Sequence, residues 1–204
     1  MWSVLDSKGC CEHNVERNHD CARTHKQALE IARRLMDPSK TAMSLLNLGD
    51  AYWGCHGYGQ AISTYQEAVD RASGAFYDDA LDIALIGRGI VQWSIGAFQD
   101  ARRSIAAGIA LARDLNYTWD ICYGCIYQSN LEASLGDMGK AITTNIEALR
   151  LAGDVRSGYL AGLASAYLCW KTEISTPGST ENSARIEEAL QTCREYGTIG
   201  VEQL

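Results

Sequence analysis

Six residues near the N-terminus, Cys10, Cys11, His13, His19, Cys21 and His25, place soft ligands within 16 positions. Thiolates and imidazoles are ligands that zinc prefers, so a metal site is the first chemistry to consider. Their spacing fits no standard finger, and Cys21 and His25 also occupy slots of a structural pattern described below. The expectation is therefore no metal, with this segment a polar cap. A second candidate, Cys122-Tyr-Gly-Cys125, has the spacing of a redox dithiol. Such a motif opens a helix after a strand. No strand pattern precedes this one, and cysteine on a helix commonly packs as a small apolar residue.

The remaining candidates converge on nothing. The acid pairs Asp78-Asp79 and Glu187-Glu188 suit a helix start or an exposed helical face, where acids favour the dipole. Of four histidines, three lie in the Cys/His segment and the fourth, His56, lies in a turn, so no Ser/His/Asp set can be assembled. Neither phosphate-binding glycine motif occurs. No catalytic residue and no cofactor is expected, and the chain reads as no enzyme.

Charge and composition narrow the partners. A net charge of −7, with no basic run longer than Arg33–Arg34 or Arg102–Arg103, disfavours nucleic acid. No stretch of 18 apolar residues suggests a membrane span, and the opening MWSVLDSKGCC does not read as a signal peptide. The chain is 47% hydrophobic and 21% charged, enough for a packed core. Eight cysteines in a chain with that much core point to reduced thiols and a cytoplasmic location.

The elements that would position any site follow from a repeat. The segments 57–72, 97–112 and 137–152 align at a spacing of 40 residues, with alanines at 61, 101 and 141 and again at 72, 112 and 152. One period earlier, Cys21, Ala28, Leu29 and Ala32 fill the same slots. One later, Ala189, Leu190 and Cys193 do so with a shift of one residue. A second helical pattern precedes each copy: Leu45, Leu48, Gly49 and Tyr52 fall on one helix face. Ile83, Ile86 and Ile90 form another stripe, and Leu163, Ala164 and Tyr167 repeat part of the first. Glycine-containing turns near 54–59, 95–98 and 135–138 separate the two helices. Gly49 and Ala61 are expected to meet across one hairpin. Residues 1–40 form a degenerate first copy with a polar front helix. The others run over about 41–76, 77–116, 117–155 and 156–197, before a short tail within a single domain of 1–204.

Leu45, Leu48-Gly49 and Tyr52, followed by Ala61, Tyr65 and Ala68, resemble the tetratricopeptide signature. Gly96-Ala97-Phe98 with Ala101, and Gly136-Asp137-Met138 with Ala141, keep part of it. The unit is longer than the family's usual 34 residues, and Ser73 stands near the place of its closing proline. Long units with alanine-rich second helices also resemble the repeat regions of bacterial signal-transduction ATPases, maltose-regulator-like activators and multidomain nucleotide cyclases. The resemblance implies an all-α fold: a right-handed α-solenoid of about five helix–turn–helix repeats that serves as a scaffold or sensor.

In such arrays the first helices line the concave side. That registry would place Met43, Leu46, Asp50 and Trp53 there, then Ile83, Ile86, Ile90 and Trp93, then Tyr123, Ile126, Tyr127 and Asn130. The face is aromatic and aliphatic, and it lacks the Lys and Asn pattern that clamps a peptide carboxylate. The expected partner is a protein or peptide: an amphipathic helix, another domain of a parent protein, or a second copy of the chain. The alternative is a ligand- or peptide-sensing regulatory domain of a larger signalling protein. Trp53 and Trp93 could equally pack as core between repeats.

Overall fold

The computed structural model describes residues 1–177 except 16, 76 and 77, with isolated positions at 184, 187 and 191. The described residues form helices and no strand: α1 (Trp2–Asn14), α2 (Asn18–Arg34), α3 (Pro38–Gly54), α4 (Tyr58–Ala75), α5 (Asp78–Ser94), α6 (Phe98–Leu115), α7 (Thr118–Ser134), α8 (Met138–Asp154) and α9 (Gly158–Ser175). The second-helix copy expected at Ala189, Leu190 and Cys193, and the tail, lie outside the described residues. Two compact units are present, Met1–Leu111 and Ala112–Leu204.

A 20-residue half-period sets the helix ends. A left-handed backbone residue stands at Met36, His56, Gly96, Asn116, Gly136 and Arg156. At each, its own N–H bonds the carbonyl three residues back, and the next N–H bonds the carbonyl five back, as in His56 to Trp53 and Gly57 to Tyr52. This double bond pattern satisfies carbonyls that a helix end leaves orphaned. Helix starts are fixed too. Asp37 accepts from the Lys40 amide at 3.0 Å, ahead of Pro38 in the first turn of α3. Asp137 and Ser157 cap α8 and α9 in the same way. Short turns between long helices make sequence neighbours antiparallel.

The alanine slots form the core. Ala61, Ala101 and Ala141 are fully buried, as is Cys21 one period earlier, and Ala28, Ala72, Ala112 and Ala152 are buried with them. Among the described glycines, approach to the backbone of a neighbouring helix is closest between α5 and α6. A methyl group on Gly89 would lie 3.1 Å from the Ala101 carbonyl oxygen, and one on Gly108 would lie 2.6 Å from that of Asp82. Backbone cannot yield there as a side chain can, so both positions require glycine. Gly49 faces the Tyr65 ring, whose carbons a methyl group there would meet at 2.9 Å.

A polar lock recurs within the hairpins. Thr24 donates to Glu12 at 2.7 Å, Ser104 to Gln92 at 2.7 Å, and Thr144 to Glu132 at 2.8 Å. These are equivalent positions one or more periods apart. One period after Glu12 and Thr24, the same two slots hold Tyr52 and Thr64. α1 is a helix despite its polar sequence, held by polar contacts: the Trp2 indole donates to Ser44 Oγ at 2.8 Å and Asn47 donates to Asp6 at 2.9 Å.

Candidate functional site

The first helices of each pair carry the residues the sequence singles out. In residues 1–111 these are α1, α3 and α5. Met43, Asp50, Trp53, Ile83 and Trp93 are half-buried there, whereas Leu46, Ile86 and Ile90 are buried and hold helices together. The Trp53 indole donates to Ser94 Oγ at 3.0 Å, linking α3 to α5. Polar residues adjoin this aromatic surface. The Asp50 carboxylate accepts from the Tyr65 hydroxyl. Burial pushes that carboxyl above the usual range, while the Tyr65 hydroxyl and the nearby His13 pull the other way. Burial, then the Asp6 carboxylate and more weakly Asp50, push the exposed Cys10 thiol up. Asn47, one turn before Asp50 on α3, donates to Asp6 of α1 at 2.9 Å, so the two acids lie on adjoining helix faces.

In residues 112–204 the first helices are α7 and α9. Trp119 stacks on Tyr123 with centroids 5.4 Å apart, Tyr123 meets Tyr127 edge-on at 5.0 Å, and Tyr127 meets Tyr167 at 6.5 Å. Tyr123 is half-buried, but Tyr127, Ile126 and Asn130 are interior. Of the residues expected on a binding face, Leu46, Ile86, Ile90, Ile126, Tyr127 and Asn130 therefore sit where a neighbouring helix covers them. The periodicity that exposes a residue on an isolated helix does not account for the next repeat.

Sequence reasoning missed a residue beneath the ladder. Lys171 is fully buried, and its Nζ donates to Asn130 Oδ1 at 2.6 Å, Asn145 Oδ1 at 3.0 Å and the Tyr167 carbonyl at 3.4 Å. Burial pulls this ammonium down to about 7, against a weaker upward pull from Glu132. A signal existed, since position 171 is the slot of the buried Ala51, Val91 and Leu131 at the 40-residue period.

The cysteine and histidine candidates separate. Cys21 and His25 are buried among the helices, while Cys10, Cys11, His13 and His19 are exposed. Among the described residues no group of three or more His, Cys, Asp or Glu is placed to hold a metal ion. Cys122 and Cys125 lie in the interior of α7, where burial pushes both thiols up to about 12, and Cys122 donates to the Ala148 carbonyl at 3.1 Å. Thiols held protonated are poor nucleophiles, and they pack as the small residues of their slots. His56 takes a turn position and contacts the Tyr58 hydroxyl at 3.1 Å.

Comparison with known proteins agrees with this geometry. Residues 8–73, about a third of the chain, match the model of the tetratricopeptide repeat family. No curated protein matches the sequence. Among solved structures, the chain is similar to the apo form of RapI, with a TM-score of 0.75 at 9% identity over 95% of this chain and 69% of that one. It is similar to a Rap protein complexed with competence and sporulation factor, with a TM-score of 0.73 at 10% identity over 99% and 62%. It also resembles a signal-transduction ATPase with a tetratricopeptide repeat sensor from Pyrococcus horikoshii, with a TM-score of 0.67 at 19% identity over 96% of this chain. The chain spans only 30% of that protein. The chain is therefore an all-α helical-repeat protein with the tetratricopeptide-like solenoid fold. Residues 8–73 carry the family's repeat at the level of sequence.

Proposed function

We propose that the chain is a non-catalytic interaction module that binds a protein or peptide on its first-helix faces. One observation carries this reading. All five tryptophans, Trp2, Trp53, Trp93, Trp119 and Trp170, lie on first helices, and none is fully buried. Trp119 and Trp170 are 41% and 38% exposed. Large, rigid aromatics that stay accessible on one kind of helix are the side chains that dominate protein recognition. Met43, Asp50, Trp53, Ile83 and Trp93 supply the contact surface in residues 1–111, and Tyr123 supplies it in residues 112–204. The partner is neither nucleic acid nor membrane, and the chain works in the cytoplasm. The fold class supports this reading, because the repeats present helix surface to a partner.

Replacing Trp53 and Trp93 with alanine tests the proposal. Loss of a co-purifying partner with helical circular dichroism unchanged supports it, whereas retained binding removes it. A second reading, a sensing domain within a longer signalling protein, is favoured by likeness to the sensor-bearing ATPase, of which the chain spans a minor part. Thermal stabilisation by small metabolites in the absence of protein partners would select it. Self-association on the same faces would appear in light scattering across a dilution series.

A further inference from the structure

We infer that the first-helix face of residues 1–111 accepts a cationic side chain, a lysine or arginine of a partner peptide, at the Asp6 and Asp50 carboxylates. The inference rests on the peptide-binding reading above and names the chemistry of the guest.

Four observations carry it. The two acids share one patch, since Asn47 on α3, one helical turn before Asp50, donates to Asp6 on α1 at 2.9 Å. Both remain within reach of solvent, Asp6 with 22% of its side chain exposed and Asp50 half-buried. Among the described residues neither has a lysine or arginine partner. The lysine and arginine ion pairs of this half engage Glu12, Asp20, Asp37, Glu67 and Asp100 instead. The contacts that the two acids do have are weaker: the Asn47 amide and a distant imidazole for Asp6, the Tyr65 hydroxyl and His13 for Asp50. Finally, the buried His25, 1% exposed, turns a ring nitrogen, Nδ1, towards Asp6 Oδ1 at 3.8 Å, and that nitrogen has no hydrogen-bond partner. The interior thus contributes an unused polar group to the same carboxylate.

A buried or half-buried carboxylate without a cation is held in a less favourable state than one that is paired, so an arriving ammonium or guanidinium restores what burial removed. Trp53 stands one helical turn from Asp50, where its ring can cover the aliphatic stem of the guest's side chain. The overall charge of −7 draws a basic segment toward this surface from a distance.

The test is selection from a displayed library of random dodecapeptides, followed by affinity measurement on the peptides recovered. Enrichment of lysine or arginine at a fixed position is expected. Asp50→Asn keeps the Tyr65 hydrogen bond and removes the charge. It should weaken those peptides about tenfold, as loss of a charged hydrogen bond does. Asp70→Asn, an exposed acid on α4 hydrogen-bonded to Gln66, makes the same change in net charge and should leave affinity within about twofold. Replacing the enriched lysine in the peptide by norleucine gives the same tenfold loss without altering the protein, which covers the case of a variant that folds poorly. Recovered peptides without basic residues, or equal effects of D50N and D70N, overturn the inference and leave peptide binding standing. Recovery of no peptide removes peptide binding, and the inference with it.

Discussion

Replacing Lys171 with methionine should stabilise the protein at neutral pH and remove a pH dependence that the native chain carries. The ammonium sits among Asn130, Asn145 and the Tyr167 carbonyl, with its charge above the Tyr167 ring at 5.1 Å and no carboxylate in ion-pair contact among the described residues. Burial lowers it from 10.5 to about 7. The folded value lies below the unfolded one, so between the two the unfolded chain holds a proton that the folded chain has released. Stability then rises with pH across that window and is lowest where both states are charged. With those two values, the contribution between about pH 6.5 and about pH 8 amounts to about 1 kcal/mol. The upper bound matters because buried thiols act oppositely. Cys21, Cys122 and Cys125 are pushed up to about 12, so above their ordinary value near 9.0 they lower stability as pH rises. Urea unfolding of the native chain and of K171M at both pH values isolates the lysine, since the other groups cancel in the difference. The variant should be more stable at about pH 6.5, with the gap narrowing by about 1 kcal/mol at about pH 8. A gap independent of pH, or one that widens, would refute the reasoning.

Gly108→Ala should cost about 3 kcal/mol, because its new methyl group meets the Asp82 carbonyl oxygen. Gly153→Ala, with nothing within 4 Å, should gain about 0.5 kcal/mol from helix propensity, and thermal unfolding compares the two. Met36→Gly should stabilise by up to about 1 kcal/mol by relieving a left-handed backbone, φ 52°, that only glycine adopts freely, and Gly96→Ala should cost about as much in the same melt. A thiol reagent should modify Cys11 rapidly and Cys10 more slowly in the folded protein and leave Cys21, Cys122 and Cys125 unmodified until denaturant is added, as mass spectrometry of the labelled peptides would record.

The alanines at 61, 101 and 141 made the repeat legible, because small residues recur wherever two helices approach closely. The finer half-period of 20 residues was hidden. Four of its turns place Met36, His56, Asn116 and Arg156 where glycine would announce a helix end. The polar lock was equally quiet, since Glu12, Gln92 and Glu132 look like surface residues until the hydroxyl opposite each is seen. For the candidate site, helical spacing placed Met43, Asp50, Trp53, Ile83, Trp93 and Tyr123 on accessible first-helix surface. It did not separate them from Leu46, Ile86, Ile90, Ile126, Tyr127 and Asn130, because covering those residues depends on how the next hairpin leans. Lys171 stayed invisible for the opposite reason: a charged residue read singly suggests solvent, and only its slot among Ala51, Val91 and Leu131 reveals the interior.

The indole N–H signals of the five tryptophans report directly on the proposed binding faces, because each first helix carries one of them. Nitrogen-15 spectra recorded while a selected peptide is added should show the Trp53 and Trp93 indoles moving, with the amides of α2 and α4 unchanged. Saturable shifts confined to α2 and α4, with the Trp53 and Trp93 indoles stationary, would contradict recognition through the first helices.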